Sequence, residues 1–477
     1  MAIDPPAKGL FSGAIKQQGA FMGWQEYLDT HQNRFVTELQ DFVRIPSVSA
    51  KPEHMPDVVA AGEWVVARLR AAGAENVALY PTQGHPVVYG DWLHAGEDKP
   101  TVLLYGHFDV QPAEPLELWE TAPFAAELRD GRIYGRGASD DKGGMMAPIL
   151  AAEALLQTTG RLPVNVKFFF EGQEEIGSPT LAPFVKDNAA LLRADMIISA
   201  DGGQWSETEA NLLMGLKGLV GCEITVTGAN ADLHSGMHGG GVANPLHGLS
   251  QIIAALKGAD GRINVPGFYD DVLDLTVEDR QAIARVPFDQ EAYIAQLGVP
   301  DVFGEEGYSV RENLWARPTL ELNGIWGGYQ GGGIKTVLPS EARAKITCRL
   351  VANQTPDQIY ALMAAHIHSL CPKGLRVSVE RLPGSANPFL VPRGHNGTAA
   401  VSEVLSTLYG KAPYAVRTGG SIPVMSLLLQ ELGVHGAVMA FGLNDENIHA
   451  PNEFYRLSSY RKSQTAYCML LERLGQG

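Results

Sequence analysis

Val102-Leu103-Leu104-Tyr105-Gly106-His107-Phe108-Asp109 is the stretch whose reading decides the fold. Four apolar, β-rich residues run straight into glycine, histidine and aspartate, in a run too short for a helix. The pattern recurs downstream. Val164-Asn165-Val166-Lys167-Phe168-Phe169-Phe170 leads into Glu171-Gly172-Gln173-Glu174-Glu175, and Met196-Ile197-Ile198-Ser199 leads into Ala200-Asp201-Gly202-Gly203. Such compact runs read as strands buried on both faces. Between the first two lie a glycine-rich turn, Gly135-Arg136-Gly137-Ala138-Ser139-Asp140-Asp141-Lys142-Gly143, and a helical pattern through Met146, Ile149, Leu150 and Leu155. Strands alternating with helices predict an α/β fold with a mostly parallel sheet covered by helices on both faces. Ligands in such sheets sit beyond the carboxyl ends of the strands, and the polar residues gather there.

Outward from this centre, Tyr27, Leu28, Phe35, Leu39 and Phe42 recur at helical spacing from Trp24 to Val43, and Pro46 stops the pattern. A second helix is expected near Asp57 to Ala71. The texture changes after Gly215. Val220 to Val226 alternates like a half-exposed strand, and Asn244 to Leu256 reads as a helix. Val265 to Asn323 is loop-rich. Ala344 to Val351 and Leu375 to Leu382 read as strands around a helix at Pro356 to Leu370. These runs predict a smaller α+β domain, 215–384, inserted into a main domain formed by 22–214 and 385–477. The last segment should add helices near Gly397 and Tyr455 and a strand at Ala437 to Phe441. Residues 1–21 are expected to form a flexible N-terminal arm.

The formal charge of the 477 residues is −16, which repels phosphate backbones and anionic lipid, so neither nucleic acid nor membrane is expected as a partner. No run of about 18 apolar residues occurs, and no basic start leads into an apolar segment. Cys222, Cys348, Cys371 and Cys468 form no CxxC pair and suit neither a thiolate metal site nor a disulfide framework. A cytoplasmic location is the expectation.

Taken singly, a histidine at a strand end, a pair of glutamates or an aspartate before a helix has an ordinary structural reading. Together, His107 and Asp109, Asp140, Glu174 and Glu175, and Asp201 follow successive buried elements of one sheet, with Asn447-Ile448-His449-Ala450-Pro451-Asn452-Glu453 far downstream. Carboxylates gathered at one rim repel strongly unless a cation neutralises them. Imidazole plus carboxylate without thiolate suits zinc, manganese or cobalt.

The blocks GHFDVQP (106–112), GRGASDDKGG (135–144), EGQEEIGS (171–178), SADG (199–202), DLHSG (232–236) and NIHAPNE (447–453) resemble, in order, the signature blocks of the dinuclear-zinc metallopeptidase family. Carnosine dipeptidases, cytosolic nonspecific dipeptidase, aminoacylase, carboxypeptidase G and succinyl-diaminopimelate desuccinylase belong to that family. The chain is most similar to its carnosinase and nonspecific-dipeptidase branch. The resemblance implies two divalent metal ions per chain, zinc first and manganese or cobalt next. Asp140 would bridge them, His107 and Asp201 would complete one shell, and Glu175 and His449 the other. It also implies that Asp109 orients His107 by accepting the proton of its non-ligating nitrogen, that Glu174 is the general base, and that the Asp140–Asp141 peptide is cis.

By the same resemblance the reaction is amide hydrolysis of dipeptides by a water activated between the metals, and 215–384 is a lid and dimerisation domain. His234 would stabilise the oxyanion in the neighbouring subunit's site of a homodimer. Arg349 would hold the substrate carboxylate, with Thr336 and Ser421 lining the same pocket. Read alone, His234 is a turn residue capping its own loop. Thr418 stands where carnosinase-like members often carry a glutamate suited to a substrate ammonium. That departure keeps a second reading open, an N-acyl-amino-acid amidohydrolase on the same scaffold. No GxSxG elbow follows a strand, which argues against a serine hydrolase built on Ser235 or Ser421.

Overall fold

The computed structural model describes residues 23–392, 394–419 and 423–476, so the expected 1–21 arm and Ser421 lie outside the described residues. The main sheet has six strands in the order Glu75–Tyr80, Val87–Trp92, Asn165–Glu171, Thr101–His107, Met196–Ser199 and Gly436–Val438. The last four run parallel to one another. The first two form an antiparallel edge, with Val87–Trp92 antiparallel to Asn165–Glu171.

Strand pleating assigns alternate residues to two cores. Val102, Leu104, Val166, Phe168, Phe170 and Ile198 face the larger core, which also holds residues of helices Trp24–Val43, Met55–Ala72, Gly143–Thr159 and Leu457–Gly475. Leu103, Tyr105, Phe169 and Ile197 face the other, closed by helices Leu181–Asp187 and Pro423–Leu432. Both faces of the sheet are covered, as the unbroken apolar runs require. Helix Gly143–Thr159 is buried from its first residue to Leu155, so it carries no polar face until its final turn.

A separate four-stranded antiparallel sheet, ordered Thr319–Gly327, Glu341–Leu350, Gly218–Thr227 and Arg376–Arg381, forms a third core. Ile224, Val226, Ala344 and Ile346 pack there with Leu249 and Ile252 of helix Pro245–Leu256 and with Ile359 and Met363 of helix Pro356–Ser369. The two chain crossings into this unit lie side by side: Leu219 and Ala386 exchange backbone hydrogen bonds of 2.8 and 2.9 Å.

Two expectations change. The Val265 to Asn323 stretch holds helices Val277–Arg285, Gln290–Leu297 and Val310–Ala316, and strand Thr319–Gly327 begins inside it. Near Tyr455 the chain first forms strand Phe454–Arg456, and the helix follows at Leu457–Gly475. Among the described residues no helix is long and apolar enough to cross a membrane. All four cysteines are unpaired, three of them buried.

Candidate metal centre

The parallel register sets the strand ends level, pairing His107 with Glu171 and Tyr105 with Ser199. Beyond that line lie the helical turn Glu174–Ile176, Asp201, and the turn that opens helix Gly143–Thr159. Close approach of that helix to the sheet needs glycine at two points. A Cβ on Gly106 would fall 2.7 Å from Met145 Cβ, and one on Gly144 would fall 2.0 Å from Asp141 Oδ1. Asp141, buried in this seam, accepts the main-chain N–H of His107 at 3.3 Å, and the Asp140–Asp141 peptide is cis.

Asp140 faces a histidine with each oxygen: Oδ1 lies 3.0 Å from His107 Nε2, and Oδ2 lies 3.0 Å from His449 Nε2. His449 Nε2 is also 3.1 Å from Glu175 Oε2. Two trios result, His107 with Asp140 and Asp201, and Asp140 with Glu175 and His449. Within each, the ligand atoms lie within 4.8 Å of one another.

Behind these side chains, Asp109 is fully buried. His107 Nδ1 lies 3.0 Å from the Asp109 backbone carbonyl and 3.5 Å from its carboxylate. The carboxylate instead accepts the main-chain N–H groups of Glu174 and Glu175, at 3.1 Å each. Asp109 thus meets His107 most closely through its backbone carbonyl, while its carboxylate also holds the main chain of the glutamate turn. Gln111 donates to Glu175 Oε2 at 2.8 Å.

Charge is poorly balanced by protein alone. Burial, then the Asp140 carboxylate, push Asp201 up to about 7. Burial, opposed by His107 but reinforced by Asp201 and Glu175, pushes Glu174 up to about 9. Hydrogen bonds to Asp140 and Glu175 raise His449 to about 10. Burial works against ionisation of Asp140, yet His107 and His449 hold it below the usual carboxylate range. Cations in place of these protons would relieve the repulsion, and an all-imidazole-and-carboxylate donor set fits divalent metal.

The rim therefore collects His107, Asp109, Asp140, Glu174, Glu175, Asp201 and His449. Among the described residues no hydrogen bond or ion pair joins His234, Thr336 or Arg349 to this cluster. His234 is exposed and its Nδ1 accepts the N–H of Gly236 at 3.0 Å, the turn-capping arrangement. Thr336 is exposed in the neighbouring segment, and its carbonyl accepts the N–H of Ser235 at 3.0 Å. Arg349 lies at the second domain's edge, where burial first, and Arg349 next, push Lys217 of the crossing segment down to about 7. Sequence reasoning attached no role to Glu453 or Glu446. Glu453 accepts main-chain N–H groups of the Asp140 turn, and Glu446 accepts the Ser139 hydroxyl at 2.6 Å. Both stand in or beside the Asn447–Glu453 block, but nothing short of their tertiary partners separates them from solvated acids.

An α/β sheet whose carboxyl rim gathers two histidines and several carboxylates, Asp109 buried and the others half-buried, fits a metal-dependent hydrolase. The chain belongs to peptidase family M20/M25/M40, whose sequence profile matches residues 103–473. It is 32% identical over 474 residues to the Cys-Gly metallodipeptidase of Schizosaccharomyces pombe, covering 94% of this chain and 97% of that one. It is 30% identical over 476 residues to the β-Ala-His dipeptidase of Rattus norvegicus, covering 95% and 96%. The crystal structure of an M20-family metallo-carboxypeptidase from Sulfolobus solfataricus superposes with a TM-score of 0.78 at 32% identity, covering 93% of this chain and 99% of that one. The protein is an enzyme, a metallopeptidase of this family.

Proposed function

We propose that the protein is a dipeptidase that hydrolyses the amide bond of dipeptides with Glu174 as general base beside two divalent cations, zinc first and manganese or cobalt next. The observation that carries this reading is the pair of ligand trios sharing Asp140. His107, Asp140 and Asp201 would hold one cation, and Asp140, Glu175 and His449 the other. When bound, the cations would supply Lewis-acid polarisation of the scissile carbonyl and lower the pKa of a nearby water. Glu174 takes a proton from the attacking water and returns it to the leaving nitrogen. Asp109 fixes the main chain of Glu174 and Glu175 and, through its carbonyl, the ring of His107.

The 215–384 unit serves as lid and dimerisation domain, with 22–214 and 385–477 as the catalytic domain. Arg349 takes the substrate carboxylate, Thr336 and Ser421 line the pocket, and His234 of a second copy donates to the oxyanion. Supporting a homodimer, Met237, three residues beyond His234, and Ile334, three before its strand partner Val337, are 78% and 93% exposed, and Ser235 lines a groove of about 620 Å³ with Val242 and His247. Four unpaired cysteines suit a cytoplasmic enzyme. Thr418 in place of a carboxylate favours a second reading, hydrolysis of N-acyl amino acids.

Turnover of a panel of dipeptides against N-acetyl and N-succinyl amino acids, with bound metal measured in the same samples, tests the reading. Dipeptides should be preferred at least about tenfold in kcat/KM, a step of about 1.4 kcal/mol in transition-state binding. Preference for the N-acyl substrates would establish the second reading, and hydrolysis of neither by metal-loaded protein would reject both.

A further inference from the structure

Glu453 is fully buried, and every acceptor position of its carboxylate is taken. Oε2 accepts from Arg136 Nη1 at 2.8 Å and from the N–H of Gly137 at 2.9 Å. Oε1 accepts from the N–H groups of Ser139 and Asp140 at 3.0 and 3.1 Å. Its own carbonyl accepts the N–H of Gly135 at 2.9 Å. The turn it grips is irregular: Gly137 has φ +83°, and Asp140 has φ −117° and ψ 95°, outside the helical region. Main-chain N–H groups ahead of a helix have no partner within it and would be orphaned at this depth. One carboxylate supplies three of them, those of Gly137, Ser139 and Asp140.

The geometry points to Glu453 as a positioning residue of the metal centre, which holds the Gly137–Asp140 turn so that the Asp140 carboxylate meets both His107 and His449. Glu453 stands in the same Asn447–Glu453 segment as His449, so one short stretch presents one ligand and fixes the main chain of another. Glu446 adds a second grip on this turn through the Ser139 hydroxyl, and is itself held by Arg456 at 3.1 Å. The inference rests on the proposed reading of Asp140 as the ligand shared by two cations.

Glu453→Gln keeps the side chain's shape but turns an acceptor oxygen into an NH₂ group that faces N–H donors, and it leaves Arg136 buried without its counter-charge. The double variant Glu453→Gln/Arg136→Met removes that stranded charge. Zinc would be removed from the full chain with a chelator and titrated back against a chromophoric competitor. The unfolding temperature would be read with and without zinc. Both variants should bind zinc about 10–100-fold more weakly than the parent. The rise in unfolding temperature on adding zinc should shrink, and kcat at saturating zinc should fall with KM unchanged.

Zinc affinity within twofold of the parent in either variant would overturn the proposal, as would an unchanged zinc-induced rise in unfolding temperature. Asp140→Asn separates the two levels. If it retains parental zinc affinity, the reading of the metal centre fails. If it loses zinc while the Glu453 variants keep it, only the positioning role fails. A measurement on the unmutated protein covers variants that do not fold: amide hydrogen exchange of Gly137, Ser139 and Asp140 should be slow even without metal. Fast exchange there in metal-free, folded protein would reject Glu453 as their holder.

Discussion

His449 Nε2 lies 3.0 Å from Oδ2 of Asp140, while the other oxygen of that carboxylate lies 3.0 Å from His107 Nε2. One carboxylate therefore stands between two imidazoles supplied by segments far apart in the sequence. Such an arrangement would present one donor atom to each of two neighbouring cations under the proposed reading.

Removing metal should abolish hydrolysis, and zinc, manganese or cobalt should restore it. Metal bound at a hundred times its dissociation constant adds about 2.7 kcal/mol of stability per site, so the unfolding temperature should fall on chelation. Full activity in a metal-stripped sample, checked by elemental analysis, would end the two-metal reading.

Glu174→Gln should retain both metals and lose about 10²–10⁴-fold in kcat, because an amide cannot accept the proton. The check is metal content beside steady-state kinetics. If this variant instead emptied a metal site yet turned over normally once metal was resupplied, the roles of Glu174 and Glu175 would have to be exchanged.

Asp109→Asn should act on the glutamate turn more than on His107. The amide can accept from only one of the two N–H groups that the carboxylate now holds at 3.1 Å. A loss of about 10–100-fold in kcat or metal affinity is expected. Kinetics and metal titration within twofold of the parent would show that the clamp is dispensable.

Mixing two inactive variants reports on His234. Glu174→Gln combined with His234→Ala under subunit exchange should regain activity, since a mixed dimer would hold one site that has lost both groups and one intact site. No recovery after exchange proven by mass spectrometry would place His234 within its own chain's site or outside catalysis.

Glu153 predicts a pH-dependent stability away from the metal. Its carboxylate, which packs against Arg34 and Arg68, accepts from Tyr27 at 2.7 Å. Burial would raise its pKa, but Arg34, Arg68 and Tyr27 together hold it below the usual carboxylate range. A depressed folded-state pKa contributes stability above the unfolded value, lost as pH falls through the folded one. Glu153→Gln should cost about 1–3 kcal/mol near neutral pH, measured by urea unfolding, because Arg68 stays buried with one partner fewer but keeps Glu38 at 2.9 Å. The gap between variant and parent should narrow in acid, and a constant gap would contradict the assignment.

The sequence by itself determined the parallel sheet and the chemistry of its rim. Strands buried on both faces must be continuously apolar, and the polar residues that end them are fixed by chain direction, so both could be read without coordinates. It also carried start signals for two helices in the stretch read as loop: Thr276 with Asp279 and Ser309 with Glu312 form capping boxes. Edge strands were less legible. Glu75–Tyr80 and Thr319–Gly327 alternate weakly because each buries a single residue, Val77 and Leu320, and their pairing depends on remote neighbours. Only the tertiary structure decided that the Asp109 side chain serves the backbone of Glu174 and Glu175 while its carbonyl serves His107. Only the tertiary structure, too, set Glu453 beneath the Asp140 turn. A buried carboxylate and a solvated one are the same letter in the sequence, and what separates them is which N–H groups the folded chain carries to within hydrogen-bond reach.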